Sequence, residues 1–372
     1  MKNLSFLLLL LVCFSACKED SLNETSATAD QKNGISKNSS VTAAAVDPCS
    51  APGNVAKVTC LVQTFKASLT ADQASALQIP LSKTNAVKWS GLTGGITLRN
   101  GVEFSTLTPA QVSAAKSIIS SAAGITVNEG WDEFNQINLG DAYLGSIGGS
   151  AYGTGKYSIA VLGDPALEGT WMLQFGGHGY AQNITYKDGV AVSGSPSLQG
   201  TEPKSWDFGG VNYAPLAQEH DVMTTLLASL STAQLASAKL ASPMTDLMLG
   251  AGKDGQFPAT RAGVKMSTLS SASQNNFILA LHPWLNDFSY DLKTRLLNIY
   301  TAEMADTYIS YSGNPTANSG NPNSFLMADG DYVRIDGPSV WIEFMVKKGT
   351  IFTNDVQYQT IYRDHTRDYN GL

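Results

Sequence analysis

The sequence predicts a single α+β domain in which a mainly antiparallel sheet is flanked by helices. Three observations carry this prediction. Apolar residues recur at helical spacing in two blocks, near residues 55–124 and 217–308. Short apolar or alternating runs bounded by glycine lie between those blocks, and two longer alternating runs close the chain. Helices and strands therefore occur in blocks rather than in strict alternation, which favours an antiparallel sheet over a doubly wound parallel one.

Residues 1–16 form the predicted leader. The positive start MKN precedes the apolar run SFLLLLLVCF. Because a helix needs about 20 apolar residues to span a bilayer, this shorter run is typical of a signal peptide. The small residues of FSAC, which end at Cys17, resemble a bacterial lipobox and predict that Cys17 is lipidated after cleavage. An ordinary signal peptide with an incidental cysteine is the alternative.

The segment after the leader predicts where the protein is located. Cys17 is followed by KED, which resembles the surface-export signal of lipoproteins in some Gram-negative bacteria. We therefore expect an outer-membrane lipoprotein that is anchored by lipid at the cell surface rather than facing the periplasm. Residues 17–48 are rich in Ser, Thr, Asn, Ala and Lys and contain no aromatic residue. Such a segment buries too little apolar surface to fold, so it predicts a disordered tether.

The predicted domain spans residues 49–372 and begins with a cysteine pair. In an oxidising compartment, Cys49 and Cys60 would close a loop of about ten residues with a structural disulfide. A redox or metal-binding pair is the alternative, but these cysteines lack the CxxC spacing typical of those uses.

The charge of the chain bears on its partners. The net charge is −7, and only 15% of the residues are charged. No basic stripe accompanies this acidic balance. We therefore expect no nucleic-acid partner.

Four segments carry helix signals. Residues 55–68 place apolar side chains at helical spacing, and Thr70 is the predicted N-cap of a second short helix. Thr108, followed by proline at the first helical position, begins a third helix that ends before Gly124. The segment LSTAQLASAKLAS, near residues 230–242, repeats this design. These segments predict the helices that flank the sheet.

The strand signals follow the helices. GKYSIAVLGD and GTWMLQFGGH are short runs bounded by glycine, and AQNITYKDGVAVSG predicts a hairpin that turns at Asp188-Gly189. Near the end of the chain, DYVRIDGPSVWIEFMVKK and DVQYQTIYRDHT alternate with period two. These runs predict the antiparallel sheet.

The last two predicted strands gather polar residues on one face. Since side chains alternate along a strand, Gln357, Gln359 and Arg363 share a face, and Glu343 lies on that face if the two strands pair. Asp364 follows at the end of the run. These residues are candidates for ligand binding. The alternative is a solvated polar face with an ion pair that contributes about 0–1 kcal/mol.

Five motifs resemble a known family. In chain order they are WMLQFGGHGYAQNITY, LQGTEP, DLMLGAGKDG, YVRIDGPSVWIEF and QYQTIYRDHTRDYNG. Together they are similar to the uncharacterised bacterial family called domain of unknown function 3500, and the resemblance runs from about Cys49 to the C-terminus.

The resemblance implies a metal site that this chain has changed. Typical members read GHH and H-x-H, which offer four imidazoles to a transition metal. Here His178 stands alone between glycines, which we interpret as leaving room for a ligand, and Gln357 and Gln359 replace the H-x-H pair. His365 and Glu202 are the candidate substitutes. The resemblance therefore implies a metal site that has been dismantled or rebuilt.

These observations leave three functional hypotheses. The first is a lipid-anchored domain whose cleft beside His178, Glu343 and Arg363 binds a small-molecule or polymeric ligand without catalysis. The second is a metal-dependent hydrolase or oxidoreductase that uses His178, His365 and carboxylates with a transition metal. The third is a structural surface lipoprotein. A single site requires His178 and the last two strands to lie within about 10 Å, because metal ligands must all reach one ion.

Overall fold

The computed structural model of the chain describes residues 49–50, 53–313 and 317–372. The predicted signal peptide, the lipidation residue Cys17 and the tether lie outside the described residues. Within the described ranges, no helix combines the length and the apolar character needed to cross a membrane.

The described α-helices occupy the two blocks that the sequence predicts and the segment between 131 and 148. In chain order they are α1 (Asn54–Ala67), α2 (Ala71–Leu77), α3 (Lys83–Ala86), α4 (Pro109–Ala122), α5 (Trp131–Gly148), α6 (Ala217–Ala228), α7 (Thr232–Ala238), α8 (Ser271–Ala280), α9 (His282–Asn286) and α10 (Tyr290–Ala302). The predicted caps Thr70 and Thr108 are confirmed, since each forms a capping box with the glutamine three residues later. The sequence did not predict α5, whose apolar face is interrupted by polar residues and glycine.

The described strands confirm the predicted alternating runs. They are β1 (Gln78–Ile79), β2 (Val102–Glu103), β3 (Ser158–Leu162), β4 (Thr170–Gly177), β5 (Tyr180–Lys187), β6 (Val190–Ser193), β7 (Ser197–Thr201), β8 (Trp206–Phe208), β9 (Val211–Tyr213), β10 (Val264–Lys265), β11 (Tyr308–Ser312), β12 (Tyr332–Asp336), β13 (Val340–Lys348) and β14 (Val356–Asp364). The β5–β6 hairpin turns at Asp188 and Gly189, which have φ values of 48° and 77°. The predicted turn is therefore confirmed. Positive φ values favour Asn, Asp and Gly, which explains why Asp-Gly occurs at this turn.

Twelve of the described strands form one sheet. Its order is β1-β3-β4-β5-β7-β14-β13-β12-β11-β10, with β2 beside β3 and β6 beside β5. Among these strand pairs, β1 with β3 is parallel and the others are antiparallel. The predicted α+β class with a mainly antiparallel sheet is confirmed.

The central strands bury side chains on both faces of the sheet. Gln199 in β7 is level with Thr360 in β14, which is level with Phe344 in β13, and these residues face the helices. The side chains of Glu343 and Arg363 lie on the opposite face. That face is covered by α3 and by the segments at residues 246–255 and 368–371. The sheet therefore separates a helix-covered core from a smaller loop-covered core.

A disulfide joins Cys49 to Cys60, with Cα atoms 5.5 Å apart. Cys60 lies in the second turn of α1, so the bond ties the start of the described domain to that helix. The predicted structural disulfide is confirmed.

Candidate functional site

His178 occupies a tight turn at one end of the sheet. The two-residue connection His178–Gly179 joins β4 to β5. Gly179 has a φ of 71°, which glycine adopts at little cost. The N–H of Gly179 donates to the Gly91 carbonyl at 2.8 Å, and its carbonyl accepts the Gly200 N–H at 2.7 Å. The backbone therefore fixes the position of His178.

Close packing explains the glycines on either side of His178. A Cβ on Gly177 would lie 2.4 Å from the Tyr157 ring, and a Cβ on Gly179 would lie 2.5 Å from the Gly200 carbonyl oxygen. The Tyr157 hydroxyl also donates to the His178 carbonyl at 2.7 Å. The interpretation that these glycines leave room for a ligand is wrong, because the protein's own atoms fill that space.

A buried carboxylate orients the His178 ring. Nδ1 lies 2.8 Å from Oδ1 of Asp141 in α5, and Asp141 Oδ2 accepts the Gly153 N–H at 2.8 Å. The side chain of Asp141 is 1% exposed, whereas that of His178 is 25% exposed. The edge of the Tyr152 ring packs on the imidazole, with centroids 4.9 Å apart. In the neutral ring this arrangement places the proton on Nδ1 and leaves Nε2 as an acceptor without a partner among the described residues.

Glu202 brings a second carboxylate to the same end of the sheet. Its Oε1 accepts the Phe352 N–H at 2.8 Å, in the connection between β13 and β14. Burial, and then the negative charges of Glu202 and Asp141, raise the pKa of the Tyr152 hydroxyl. Glu202 therefore lies near Tyr152, which in turn packs on His178. We call His178, Asp141, Tyr152 and Glu202 the His178 site.

The two glutamines of β14 lie near this site. Gln359 is level with Gly200, whose N–H contacts the His178 turn, so Gln359 lies two strand spacings from β5, about 10 Å. Gln359 Nε2 donates to Gln357 Oε1 at 3.3 Å, and Gln357 Nε2 donates to a β13 carbonyl at 2.9 Å. Both glutamines are partly exposed. The structure therefore brings His178, Glu202, Gln357 and Gln359 to one end of the sheet.

Glu343 and Arg363 share a face as predicted, but the chain itself occupies both. Glu343 is fully buried and accepts hydrogen bonds from two backbone N–H groups and two side chains, those of Met248, Leu249, Trp341 and Tyr332. Arg363, also fully buried, donates to the Leu249 carbonyl at 2.7 Å and pairs with Asp254 and Asp368 at 3.1 and 2.8 Å. The two side chains hold the 246–255 segment on the sheet. This corrects both the cleft expected beside His178 and the alternative of a solvated ion pair.

Asp364 and His365 lie at the other end of β14. Asp364 is buried toward the helices and accepts the Tyr300 hydroxyl at 2.6 Å. His365 Nε2 lies 3.3 Å from the buried Asp336 carboxylate. Both candidates therefore contribute to packing at a place remote from the turn between β4 and β5.

His178 and His365 cannot share a metal ion. Gln359 is near the level of the His178 turn, and His365 lies six residues farther along the strand direction. At about 3.3 Å per residue the separation is about 20 Å. Because metal ligand atoms lie roughly 2 Å from the ion, the predicted joint site is wrong.

Sequence reasoning missed a second group of titratable residues in the helix-covered core. Carboxylate oxygens of Glu129, Glu133 and Glu219 all lie within 4.8 Å of one another. The exposed fractions of these residues are 0%, 0% and 1%. Asp287, which follows α9, is 2% exposed and joins the group through its contact with Glu133. We call these four residues the carboxylate cluster.

The electrostatics of the carboxylate cluster follow from burial and mutual repulsion. Burial, and then the neighbouring negative charges, raise the pKa of Glu129 and of Glu133 far above the ordinary glutamate value, and burial raises the pKa of Glu219. Burial raises the pKa of Asp287 to about 7, although hydrogen bonds from Gly130 and with Glu133 oppose the shift. The folded protein therefore keeps protons on this group near neutral pH.

Physical signals for these missed residues are weak in the sequence. Glu129 and Glu133 are spaced one helical turn apart beside the apolar Trp131 and Phe134, which places them near a core-facing surface. Glu219 and Asp287 come from distant segments, and only folding brings them to this pair. Asp141 carries a similar signal, because it follows Glu133 by eight residues and therefore shares its side of α5.

The described architecture is that of an α+β domain with one large sheet, a polar site at one end and a buried carboxylate cluster. The chain belongs to the family described as protein of unknown function, DUF3500, whose family model matches residues 52–371. This match confirms the resemblance seen in the motifs. No curated protein and no solved structure is significantly similar to the chain.

Proposed function

We propose that the protein is a lipid-anchored domain of the bacterial cell envelope that binds a polar, hydroxyl-bearing ligand at the His178 site without catalysis. The observation that carries the proposal is the pairing of His178 Nδ1 with the buried Asp141. This pairing holds the ring in one tautomer and leaves Nε2 as an acceptor for a ligand hydroxyl.

The other residues near His178 support a carbohydrate-like ligand. Glu202, Gln357 and Gln359 supply a carboxylate and two amides, and hydroxyl groups can both donate to and accept from such a set. Flat rings lie in the same region, since Phe352 stacks on Tyr143 with centroids 5.9 Å apart. Aromatic faces combined with a few polar groups are typical of small-molecule sites. A sugar presents hydroxyls and apolar C–H faces that match both kinds of group.

The alternative of a metal-dependent enzyme that uses both His178 and His365 is no longer supported. It requires His178 and His365 as joint ligands, and about 20 Å of sheet separates them. At the His178 site, the ligand atoms of His178, Asp141 and Glu202 do not converge on one point, whereas a typical zinc site has three or four converging ligands. We therefore favour binding of an organic ligand over transition-metal catalysis.

Ligand binding is tested by thermal unfolding of the protein with a panel of neutral and acidic oligosaccharides. We expect at least one oligosaccharide to raise the melting temperature, because a ligand that binds only the folded state stabilises it. His178→Ala should abolish that increase, whereas the control His282→Ala, at the start of α9, should retain it. If no sugar raises the melting temperature, or if His178→Ala responds like the wild type, the proposed ligand class is wrong.

Lipid anchoring is tested separately with Cys17→Ser. The wild-type protein should sediment with the outer membrane and incorporate a labelled fatty acid. The Cys17→Ser variant should lose the label and leave the membrane fraction, because a signal peptide alone gives no lasting anchor. Equal labelling of both proteins would contradict the proposed anchor without affecting the ligand proposal.

A further inference from the structure

The carboxylate cluster concentrates more negative charge than its surroundings neutralise. Neither the Glu129 nor the Glu133 carboxylate accepts a hydrogen bond from an N–H or hydroxyl donor among the described residues, and their polar neighbours are the other acids. The positive charge that acts on Glu129 is that of Lys293, a single and only partly buried side chain. Asp287 is better placed, since it accepts the Gly130 N–H at 2.8 Å. Four buried acids near one another therefore require either bound protons or a bound cation.

The proton-bound state is one way to satisfy the cluster. The carboxyl groups of Glu129 and Glu219 are close enough to share a proton, and so are those of Glu133 and Asp287. In that state each pair has one neutral member, and no ion is needed. In the alternative state the acids are ionised and their oxygens coordinate a divalent cation. The two states differ in their response to added metal, which makes them distinguishable.

An independent observation favours the cation. Gln199 in β7 is 1% exposed, and its Nε2 donates to Asp287 Oδ2 at 2.8 Å. Its Oε1 belongs to the same amide group and has no partner among the described residues. A buried amide oxygen without a donor is unfavourable, and a proton on the neighbouring acids already has a carboxylate to share it. A cation beside Asp287 would satisfy this oxygen, because amide oxygens are ligands for hard cations.

We propose that Glu129, Glu133 and Glu219, with Asp287 and Gln199 beside them, form a buried site for a hard divalent cation, of which Ca²⁺ is the best match. Every candidate ligand atom is an oxygen, which suits Ca²⁺, Mg²⁺ or Mn²⁺ rather than a thiolate- or imidazole-preferring metal. The oxygens of Glu129, Glu133 and Glu219 all lie within 4.8 Å of one another, so one ion could contact all three. Ca²⁺ is the best match because it accepts cages made largely of protein oxygens, whereas Mg²⁺ usually keeps several waters and binds one or two carboxylates.

The position of the site indicates a structural role for the ion. Glu133 belongs to α5, Glu219 belongs to α6, and Asp287 follows α9, so one ion would join three segments that are distant in the chain. These residues are almost fully buried, so the ion would be enclosed as the protein folds. The site lies about 12 Å along α5 from Asp141, given eight residues at 1.5 Å each, so it is separate from the His178 site.

The proposal is tested by refolding the full-length protein from denaturant in metal-free buffer with EDTA, and then with Ca²⁺, Mg²⁺ or Mn²⁺. We expect excess Ca²⁺ to raise the melting temperature by roughly 5 °C at about 100 times its Kd. Glu133→Gln should lose this increase, because the amide keeps the volume of the side chain and removes a charged ligand. In EDTA, the same variant should melt above the wild type.

A second buried carboxylate provides the matched control. Glu343→Gln removes a fully buried carboxylate on the other face of the sheet and should keep the Ca²⁺ response. If Glu343→Gln fails to fold, the comparison of the Ca²⁺ responses of wild type and Glu133→Gln still tests the proposal. A response to Mg²⁺ or Mn²⁺ that depends on Glu133 supports an oxygen-ligated site and reassigns the ion. The proposal is overturned if none of the three ions stabilises the wild type, or if Glu133→Gln responds equally.

Discussion

The two faces of the central sheet bury carboxylates in opposite ways. On the loop-covered face, Glu343 is surrounded by donors: two backbone N–H groups, the Trp341 indole and the Tyr332 hydroxyl. On the helix-covered face, no N–H or hydroxyl donor among the described residues reaches the Glu129 and Glu133 carboxylates, which lie beside further acids. The first arrangement is complete without a ligand, whereas the second is incomplete.

This difference separates a structural carboxylate from a candidate binding site. Burial raises the pKa of Glu343, but hydrogen bonds from Met248, Trp341, Leu249 and Tyr332 oppose the shift. No comparable donors oppose it at Glu133, where the neighbouring acids add to the effect of burial. Burial alone therefore does not mark function, and the partners of the buried group do.

The largest expected change in stability follows removal of the Glu343 carboxylate, whose hydrogen bonds are complete. Glu343→Leu should lower the free energy of unfolding by about 3–5 kcal/mol, because four donors lose their acceptor and the 246–255 segment loses its anchor. Ca²⁺ should not restore this loss. The measurement is urea unfolding with and without Ca²⁺. A loss below about 1 kcal/mol would show that the donors find other acceptors and that the arrangement is not structural.

Removing an acid from the carboxylate cluster should instead increase stability when no metal is present. In EDTA, Glu133→Gln should raise the free energy of unfolding by about 1–2 kcal/mol, because it removes a buried acid from a repulsive group. In Ca²⁺ the same variant should be less stable than the wild type, because a ligand is missing. Urea unfolding in the two buffers tests the change of sign. If the variant is destabilised equally in both buffers, the cluster does not respond to a cation.

Without metal, the free energy of unfolding should depend on pH through the carboxylate cluster. Since the folded pKa values of Glu129, Glu133 and Asp287 lie above their unfolded values, the folded state holds more protons than the unfolded state above about pH 4.5. The free energy of unfolding should therefore be greatest near pH 4–5 and fall as the pH rises through about 7, the raised pKa of Asp287. Each group contributes a slope of up to about 1.4 kcal/mol per pH unit.

Other titratable groups at the cluster modify this slope without reversing it. The Lys293 charge lowers the pKa of Glu129, and Tyr180, which also faces the cluster, remains neutral because burial raises its pKa. Glu343 contributes a slope of the same sign from the opposite face. Glu133→Gln measured over pH 5–8 in EDTA isolates the cluster, since its slope should be smaller than that of the wild type. A wild-type free energy of unfolding that increases over this range would contradict the raised pKa values of the cluster.

The smallest effects are expected at the His178 site. His178→Ala should lower the free energy of unfolding by about 0.5–1.5 kcal/mol, because it removes one hydrogen bond to Asp141 and a partly exposed ring. The response to Ca²⁺ should be unchanged, because this site and the cluster are separated by about two turns of α5. Thermal unfolding with and without Ca²⁺ measures both quantities. Loss of the Ca²⁺ response in His178→Ala would show that the two sites are coupled.

Local patterns in the sequence predict much of the fold. Capping at Thr70 and Thr108, the turn at Asp188-Gly189 and the period-two runs near the end all act within a few residues, so they can be read directly. The antiparallel pairing of β13 with β14 and the shared face of Glu343 and Arg363 follow from the same alternation.

The sites are harder to predict because they depend on distant segments. Alternation places Glu343 on a face but does not show that residues 246–255 cover that face. The turn around His178 is predictable, yet Asp141, Tyr152 and Glu202 reach it from three other parts of the chain. The carboxylate cluster likewise exists only after α5, α6 and the end of α9 pack together.

The cation site at the carboxylate cluster is tested most directly by elemental analysis. Untagged wild-type protein and Glu133→Gln are equilibrated with Ca²⁺, and free ions are then removed. We expect about one Ca²⁺ per wild-type chain and a marked loss in the variant, because Glu133 supplies a ligand of the cluster. Wild-type protein without stoichiometric Ca²⁺, Mg²⁺ or Mn²⁺ would contradict the cation site and would mean that shared protons satisfy the four acids.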